Sequence, residues 1–320
     1  MFVKQSLYSL LFFDKIMDLS IVIVNWNSGK LLRGCTKSIL KDKGLDFEGF
    51  VVDNASNDGS LEDIPKRFKI VRNDRNLGFA KACNQAIKLS KGRYVLLLNP
   101  DTVALKNSLK GMIRFLGKHK DVGVLGCKLL NPDKTVQPSC HAFLTLPHVF
   151  FEVSQLNILF PKNKFFIRTL SFLNKFFPKL FANYSTPNKP IEVDSVMGSC
   201  YMIRKEALRK TGLLDENFFL YHEEMELSYR MWKKGFKVMF YPYASVIHRG
   251  KHSTEQVPDL VYYERCKSIL HFFRKHKNSQ LAILKIVMFF SLLINSFSLP
   301  FKKNFKEALA CRFKVLRLLI

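Results

Sequence analysis

Three groups of acidic residues sit where chemistry is simplest to place. Asp101 follows the run Tyr94-Val95-Leu96-Leu97-Leu98 and the dipeptide Asn99-Pro100. Five consecutive apolar residues predict a strand buried on both faces, which stops where proline cannot continue the hydrogen-bonded ladder. A carboxylate at the carboxyl end of a central strand lies on the edge where open α/β sheets bind ligands, so Asp101 is placed to hold a phosphate through a divalent ion. Read alone, Asn99 and Asp101 serve equally well as turn residues that close their own backbone hydrogen bonds. Asp53 repeats the arrangement after Phe50-Val51-Val52. The third group, Glu223-Glu224-Met225-Glu226, opens a predicted helix that starts near His222 and is capped at Gly235. Acids suit that positive helix end on structural grounds alone, and Glu226 with Arg230 is an i,i+4 pair assigned to stability.

The elements that must position these residues alternate in type. Ile21-Val22-Ile23-Val24 is an all-apolar strand ending in Asn25-Trp26-Asn27-Ser28-Gly29, after which Leu31, Leu32, Cys35 and Ile39 recur at helical spacing. The strand to Val52 closes on Asp53-Asn54-Ala55-Ser56-Asn57-Asp58-Gly59-Ser60. A third unit runs from Ile70-Val71 through Asn76-Leu77-Gly78 into a helix with Phe79, Ala82, Cys83 and Ala86 on one face. Short strand and helix alternation predicts a parallel sheet covered by helices on both faces. Leu109, Met112, Ile113 and Leu116 mark a further amphipathic helix, and Val122 to Gly126 a strand. Asn131-Pro132-Asp133 reads as a turn without chemistry, and His141 and His148 fall in a loop-like region. Ser199 to Arg204 reads as a strand and Lys205 to Lys210 as a short helix. Val238 to Tyr241 is the expected last strand, with Ala244 to Ser253 a closing loop.

Taken in order, N-W-N, V-V-D-N-A-S-N-D-G-S, R-N-L-G-F-A-K-A-C-N and L-L-L-N-P-D resemble the inverting family 2 glycosyltransferases of the nucleotide-sugar-binding GT-A fold, and most nearly their rhamnosyltransferase-like branch. The motifs cover about Asp18 to Thr102, and the likeness resumes from Asp194 to about Ser253. It implies a mixed α/β sheet with helices on both faces. On the donor side it implies Asn25, Asn27, Asp53, Asn76, Gly78, Asn84, Asn99 and Gly198, with Asp53 meeting the base or ribose through an acceptor-only carboxylate. Asn76 reads equally well as a capping residue. Asn99-Pro100-Asp101 stands in the place of the family's D-x-D motif, with Asn99 replacing the first carboxylate and shaping the turn or touching a water. Asp101, with His248 nearby, is then the expected ligand of Mg²⁺ or Mn²⁺, whose shell is completed by water and substrate phosphates. Arg249, Lys251 and Ser253 would add phosphate contacts. The family's E-D-x-D motif matches Glu223-Glu224-Met225-Glu226, so Glu224 is implied as general base, with Glu223 as the alternative because glutamate is one methylene longer than the usual aspartate.

Composition bounds what remains. The 320 residues are 48% hydrophobic, enough for one large core or two modest ones, and the net charge of +25 implies an anionic partner. Seven scattered cysteines without C-x-x-C spacing predict a reducing compartment and no structural zinc. The short apolar run Leu7 to Phe13 is broken by Asp14 and Lys15 and makes a poor signal peptide, and the spacing to the first strand makes Met17 a candidate start. Residues 155–190 hold six basic residues, no acids and seven phenylalanines, a pattern for an in-plane helix at a lipid interface, for core packing or, less readily, for stacking on single-stranded nucleic acid. Residues 261–320 carry twelve basic and two acidic residues around the apolar stretch Leu281 to Pro300, which approaches a bilayer span but contains Lys285, Asn295, Ser296 and Ser298.

The expected organisation is an N-terminal extension (1–17), a GT-A domain (18–260) with the basic aromatic insert, and a helical membrane-associating extension (261–320). The expected activity is metal-dependent transfer of a sugar from a nucleotide-diphosphate donor, with dTDP-rhamnose first, to a glycan or lipid-linked glycan acceptor. The expected place is the cytoplasmic face of the inner membrane against anionic lipid, with no nucleic-acid partner. A UDP-hexose or UDP-N-acetylhexosamine transferase, or a non-catalytic nucleotide-sugar or glycan binder, are the alternatives.

Overall fold

Along the first strand, β1 (Leu19–Asn25), Ile21 and Ile23 enter one apolar layer and Val22 and Val24 the opposite one, so a single strand needs helices on both sides. The computed structural model describes residues 17–155, 187–250, 254–297, 299 and 304–320. The N-terminal extension, nearly all of the basic aromatic insert, and Lys251 and Ser253 lie outside them.

In chain order β1 is followed by α1 (Lys30–Leu40), β2 (Phe47–Asp53), β3 (Phe68–Arg72), α2 (Phe79–Leu89), β4 (Tyr94–Leu98), β5 (Thr102–Ala104), α3 (Ser108–Lys118) and β6 (Val122–Leu130). The short β7 (Val136–Gln137) and β8 (Cys140–His141) lead to α4 (Leu146–Ser154). Next come β9 (Ile191–Glu192), β10 (Ser195–Val196), β11 (Cys200–Arg204), α5 (Lys205–Thr211), α6 (Glu223–Lys233) and β12 (Lys237–His248). Three helices close the chain: α7 (Pro258–His276), α8 (Leu281–Ser296) and α9 (Phe305–Leu319).

The main sheet runs β3-β2-β1-β4-β11-β6-β12-β5. Its first four strands are parallel, as the alternation predicts, but β11 inserts antiparallel between β4 and β6 and makes the sheet mixed. Helices α1 and α3 cover one face through Leu32, Cys35, Ile39, Leu109, Met112 and Leu116. Helices α2, α5 and α6 cover the other through Ala82, Cys83, Ala86, Leu208, Leu227 and Met231. A third core joins α4, α7, α8 and α9 and includes Phe218 and Met225 beside the main domain. All seven cysteines are buried thiols outside any disulfide.

Two local expectations are corrected. Residues 244–248 are not a closing loop: β12 is one long strand whose register shifts between Tyr241 and Ser245, where Pro242 has no N–H to give the ladder. His148 lies in α4 rather than in a loop, because Thr145 caps that helix by accepting the His148 N–H and Pro147 fits its first turn.

Candidate active site

The carboxyl ends of β1, β2 and β4 gather the first group of residues. Strand register sets Asn25 opposite Asp53, and Asn25 Nδ2 donates to Asp53 Oδ1 at 2.7 Å while the Ser56 N–H donates to Asp53 Oδ2 at 3.1 Å. Ser28 Oγ also donates to the Asn25 side-chain oxygen Oδ1. Asn27, in left-handed backbone, exchanges hydrogen bonds with the same loop through Ser56 and Asn57. Asn25 and Asn27 therefore tie two loops together and hold a buried Asp53 carboxylate at the sheet edge.

Asn76 and Gly78 form the neighbouring wall. Asn76 Oδ1 accepts from the Gly78 N–H at 3.0 Å and from Asn54 Nδ2 at 3.1 Å. Gly78 has φ 83°, and a Cβ there would lie 2.6 Å from the carbonyl oxygen of Phe219, so the loop before α6 packs directly on this glycine. Asn84 faces the same loop. Both its amide hydrogens are taken, by Leu214 O and Glu216 Oε1, so it fastens the loop to α2 with no amide hydrogen left to offer a donor.

Asp101 and His248 meet across the β5–β12 ladder, in which His248 pairs with Thr102. Both are more than nine-tenths buried, and Asp101 Oδ1 lies 3.5 Å from His248 Nε2. The other Asp101 oxygen accepts the Gly250 N–H at 2.8 Å. Gln137 fixes the imidazole: its Nε2 donates to Asn131 Oδ1 at 3.2 Å, which turns its Oε1 toward His248 Nδ1 at 2.8 Å. With Nδ1 carrying the proton toward Gln137, the Nε2 lone pair faces a carboxylate oxygen, with Asn99 Nδ2 also 3.5 Å away. Burial lowers the His248 pKa and outweighs the pull of Asp101, so the imidazole stays neutral. Two lone pairs facing each other at this spacing fit the ligands of one divalent cation. Among the described residues no group of three or more His, Cys, Asp or Glu side chains forms a closed site, so these two would hold an ion that keeps open positions for diphosphate and water.

The metal-type pair is wired to the acids of α6. The Asn99 N–H donates to Ser199 O at 3.1 Å, and a Cβ on the preceding Gly198 would lie 3.4 Å from Glu224 Cδ. Ser199 Oγ is buried there without a partner. The first turn of α6 is pinned because Tyr201 Oη and Ser228 Oγ both donate to Glu224 O, at 3.0 and 2.8 Å. Glu224 is partly exposed, but its Oε2 is sealed and unpartnered, as is that of the buried Glu223. Burial raises the pKa of Glu224, while its own N–H, His222 and the Gly198 N–H pull it back. Burial and then the Glu224 charge push Glu223 well above the carboxylate range, so Glu223 is the one that keeps its proton. A partly exposed carboxylate with a raised pKa at this sheet edge is equipped to take a proton from a hydroxyl.

The family model described as "Glycosyl transferase family 2" matches residues 20–212 of the 320. The chain belongs to that family. A second model, "Glycosyl transferase family group 2", matches residues 133–303. This family 2 glycosyltransferase uses nucleotide-sugar donors. It is 26% identical over 256 residues to the N-acetylglucosaminyl-diphospho-decaprenol L-rhamnosyltransferase of Mycobacterium tuberculosis, covering 75% of this chain and 78% of the relative. It shares its fold with Staphylococcus aureus TarS 1-349 in complex with UDP-GlcNAc at TM-score 0.52, with 19% identity and 94% and 82% coverage. The mannosyltransferase PcManGT of Pyrobaculum calidifontis, in complex with GDP-Man and Mn2+, also has TM-score 0.52, with 12% identity and 93% and 84% coverage. The GT-A expectation for the fold is thereby met.

Several residues of the candidate site carry no signal in the sequence. Asn131, in a turn that looks chemically empty, and Gln137 of β7 set the His248 tautomer. Behind the α6 acids, Glu152 of α4 lies 3.4 Å from His222 and 3.6 Å from Arg265 of α7, and Arg265 stacks 4.4 Å from the Tyr221 ring centre. Burial works against the Glu152 charge, but His222 and Arg265 overcome it and hold its pKa at about 2. Tyr221 and His222 both have left-handed backbone, φ 70° and 67°, immediately before the helix. Glu226 points away from the cleft toward Arg230, His276 and Lys275, as its pairing role predicts.

Proposed function

We propose that this enzyme transfers a sugar, with inversion, from a nucleotide-diphosphate donor to a glycan hydroxyl carried on a lipid. The observation that carries the reading is the linkage just described: the Asp101–His248 pair and the Glu224 carboxylate are joined through Asn99, Ser199 and Gly198 at one sheet edge. Asp53, held by Asn25, is assigned to the nucleoside and the Gly78 wall to the sugar diphosphate. Asp101 and His248 would hold Mg²⁺ or Mn²⁺, which supplies Lewis-acid compensation for the charge growing on the departing diphosphate. The acceptor oxygen forms its bond to the anomeric carbon as the bond from that carbon to the diphosphate oxygen breaks on the opposite face. Glu224 takes the hydroxyl proton, and the nucleoside diphosphate leaves with the bonding electrons. Glu223, protonated beside it, keeps the base alone in its charge.

The M. tuberculosis relative supports L-rhamnose as the sugar and a prenyl-diphosphate-linked glycan as the acceptor, in cell-surface polysaccharide synthesis. The GT-A unit is assigned to residues 18–260, with the helices after it associating with anionic lipid at the cytoplasmic face of the inner membrane. Protection against thermal unfolding across a panel of nucleotide sugars, with Mg²⁺ or Mn²⁺ present, tests the donor. dTDP-rhamnose is expected to protect best and to be turned over with a lipid-linked acceptor. Protection by a UDP-hexose or UDP-N-acetylhexosamine alone would reassign the sugar, and no protection by any member would refute the donor site.

A further inference from the structure

The apolar stretch of α8 shows two unlike faces. Leu284, Met288, Ser291, Leu292 and Asn295 are buried against α4 and α9. Ile283, Ile286, Phe289, Phe290, Leu293 and Phe297 are 40–80% exposed. The spacing of 283, 286, 290, 293 and 297 draws one stripe along the helix, about 21 Å long at 1.5 Å per residue. Helix α9 runs antiparallel beside it, since Lys285 Nζ reaches Ile320 O while Arg312 donates to Asn295 Oδ1 at 2.7 and 2.9 Å. Its Phe313 and Ile320 are exposed, as are Lys306, Lys314 and Arg317. From 278 to 320 the sequence has seven basic residues and one acid.

We propose that this two-helix face docks flat on an anionic bilayer, with the Ile283 to Phe297 stripe in the acyl boundary and the α9 cations at the headgroups. The proposal rests on the membrane association assigned above and adds which surface makes it and in what orientation. By length and composition alone the helical segment Asn278–Ser296, 19 residues with mean hydropathy 1.6, could cross a bilayer. Its contacts disfavour crossing, because Asn295 is bonded to Arg312, which is paired with Asp259 at 3.3 Å, and a spanning helix would break that set or carry it into lipid. A second copy of the chain fits less well than lipid: a two-fold contact sets the same patch against itself, bringing basic residues together. The layer behind the stripe is α4, which packs on α8 and whose Glu152 reaches His222, next to the α6 acids. Docking would therefore bring the base side of the cleft within one helix layer of the membrane, where a lipid-linked acceptor is found.

Point substitutions test this better than truncation, since removing α8 and α9 would strip Leu284, Met288, Leu292, Cys311 and Val315 from the third core. The full chain and the double variant Ile286→Asn/Phe290→Asn would be floated with vesicles of phosphatidylglycerol and phosphatidylcholine, with Leu89→Asn as an exposed apolar control on another surface. The expected result is a roughly 30-fold or greater fall in partition for the double variant and none for the control, with melting temperature and nucleotide-sugar protection kept by both. Ile283→Trp, Phe290→Trp and Phe297→Trp should be quenched about equally by shallow brominated lipid. Quenching of Phe290→Trp deep in the bilayer with the two ends shallow would mean a span and overturn the flat orientation. Unchanged partition of the double variant, while the wild type floats, overturns this face but leaves membrane association intact. A wild type that does not float removes both, and a dimer dissolved by the double variant without vesicle binding assigns the stripe to a second copy.

Discussion

Glu226→Gln isolates the charge of the third acid of the helix motif. Glu226 is fully buried, and its carboxylate receives Arg230 Nε and Nη2 at 2.8–2.9 Å and Lys275 Nζ and His276 Nε2 at 2.9 Å. Burial alone would raise its pKa, but His276, Arg230 and Lys275 overcome that and bring it from 4.5 to about 2. At about 1.4 kcal/mol per tenfold change in proton affinity, the charge-specific stabilisation is about 3 kcal/mol at neutral pH. Loss of one partner from a buried ion pair gives a similar 3–5 kcal/mol, roughly. Because the folded-state pKa is depressed, the contribution is complete above the unfolded value near 4.5 and disappears as pH falls through about 2. Unfolding followed by circular dichroism in urea, at pH 7 and at steps down to pH 2.5, should show the gap between wild type and variant closing with acid. A gap below about 0.5 kcal/mol at pH 7, or one independent of pH, would refute the reasoning and reduce the network to a surface-like pairing.

Asp101→Ala should abolish transfer and the metal dependence of nucleotide-sugar protection, whereas Asn99→Ala should leave measurable transfer; equal activity of Asp101→Ala and wild type in a transfer assay would remove the metal assignment. Glu224→Gln should lower transfer by about 10²-fold or more with nucleotide affinity nearly unchanged, and a larger loss in Glu223→Gln would move the base by one residue. The base works deprotonated and its pKa is raised, so the rising limb of the wild-type pH–rate profile should lie above the ordinary glutamate range, and Glu223→Gln, which replaces one neutral side chain by another, should leave that limb in place. Gly78→Ala places a Cβ 2.6 Å from Phe219 O at φ 83°, so it should lose about 1–3 kcal/mol of stability in thermal melts and weaken nucleotide-sugar protection with it.

The parts of the fold set by local pattern were legible in the chain. Alternation of Ile21 and Ile23 with Val22 and Val24, and the arrest of β4 at Pro100, follow from side-chain period and a missing donor, and both appear where expected. The insertion of β11 between β4 and β6 was not legible in the periodicity, because pairing partners a hundred residues apart leave no trace in the hydrophobic pattern. Pro242 hid the continuity of β12 for a related reason: a bulge and a chain break look alike until the neighbouring strand is known. In the site, Asp101 and Glu224 stood out because each ends or begins a regular element. Gln137 and Glu152 did not, since their parts depend on the side chains that long-range packing brings to them.

The left-handed pair Tyr221 and His222 limits the helix they precede. A helix can lengthen toward its amino end only if the residues before it take right-handed backbone, and here two consecutive residues would have to invert. Each is held at about 1–2 kcal/mol above a right-handed conformation, and packing of Tyr221 under Arg265 and of His222 by Glu152 opposes any release. The amino end of α6 consequently cannot slide by a turn or borrow residues from the loop without breaking those contacts. The height of Glu224 above the sheet is thus determined by backbone handedness rather than by helix stability, and a variant that weakens α6 farther along should lose stability before it loses the placement of the base.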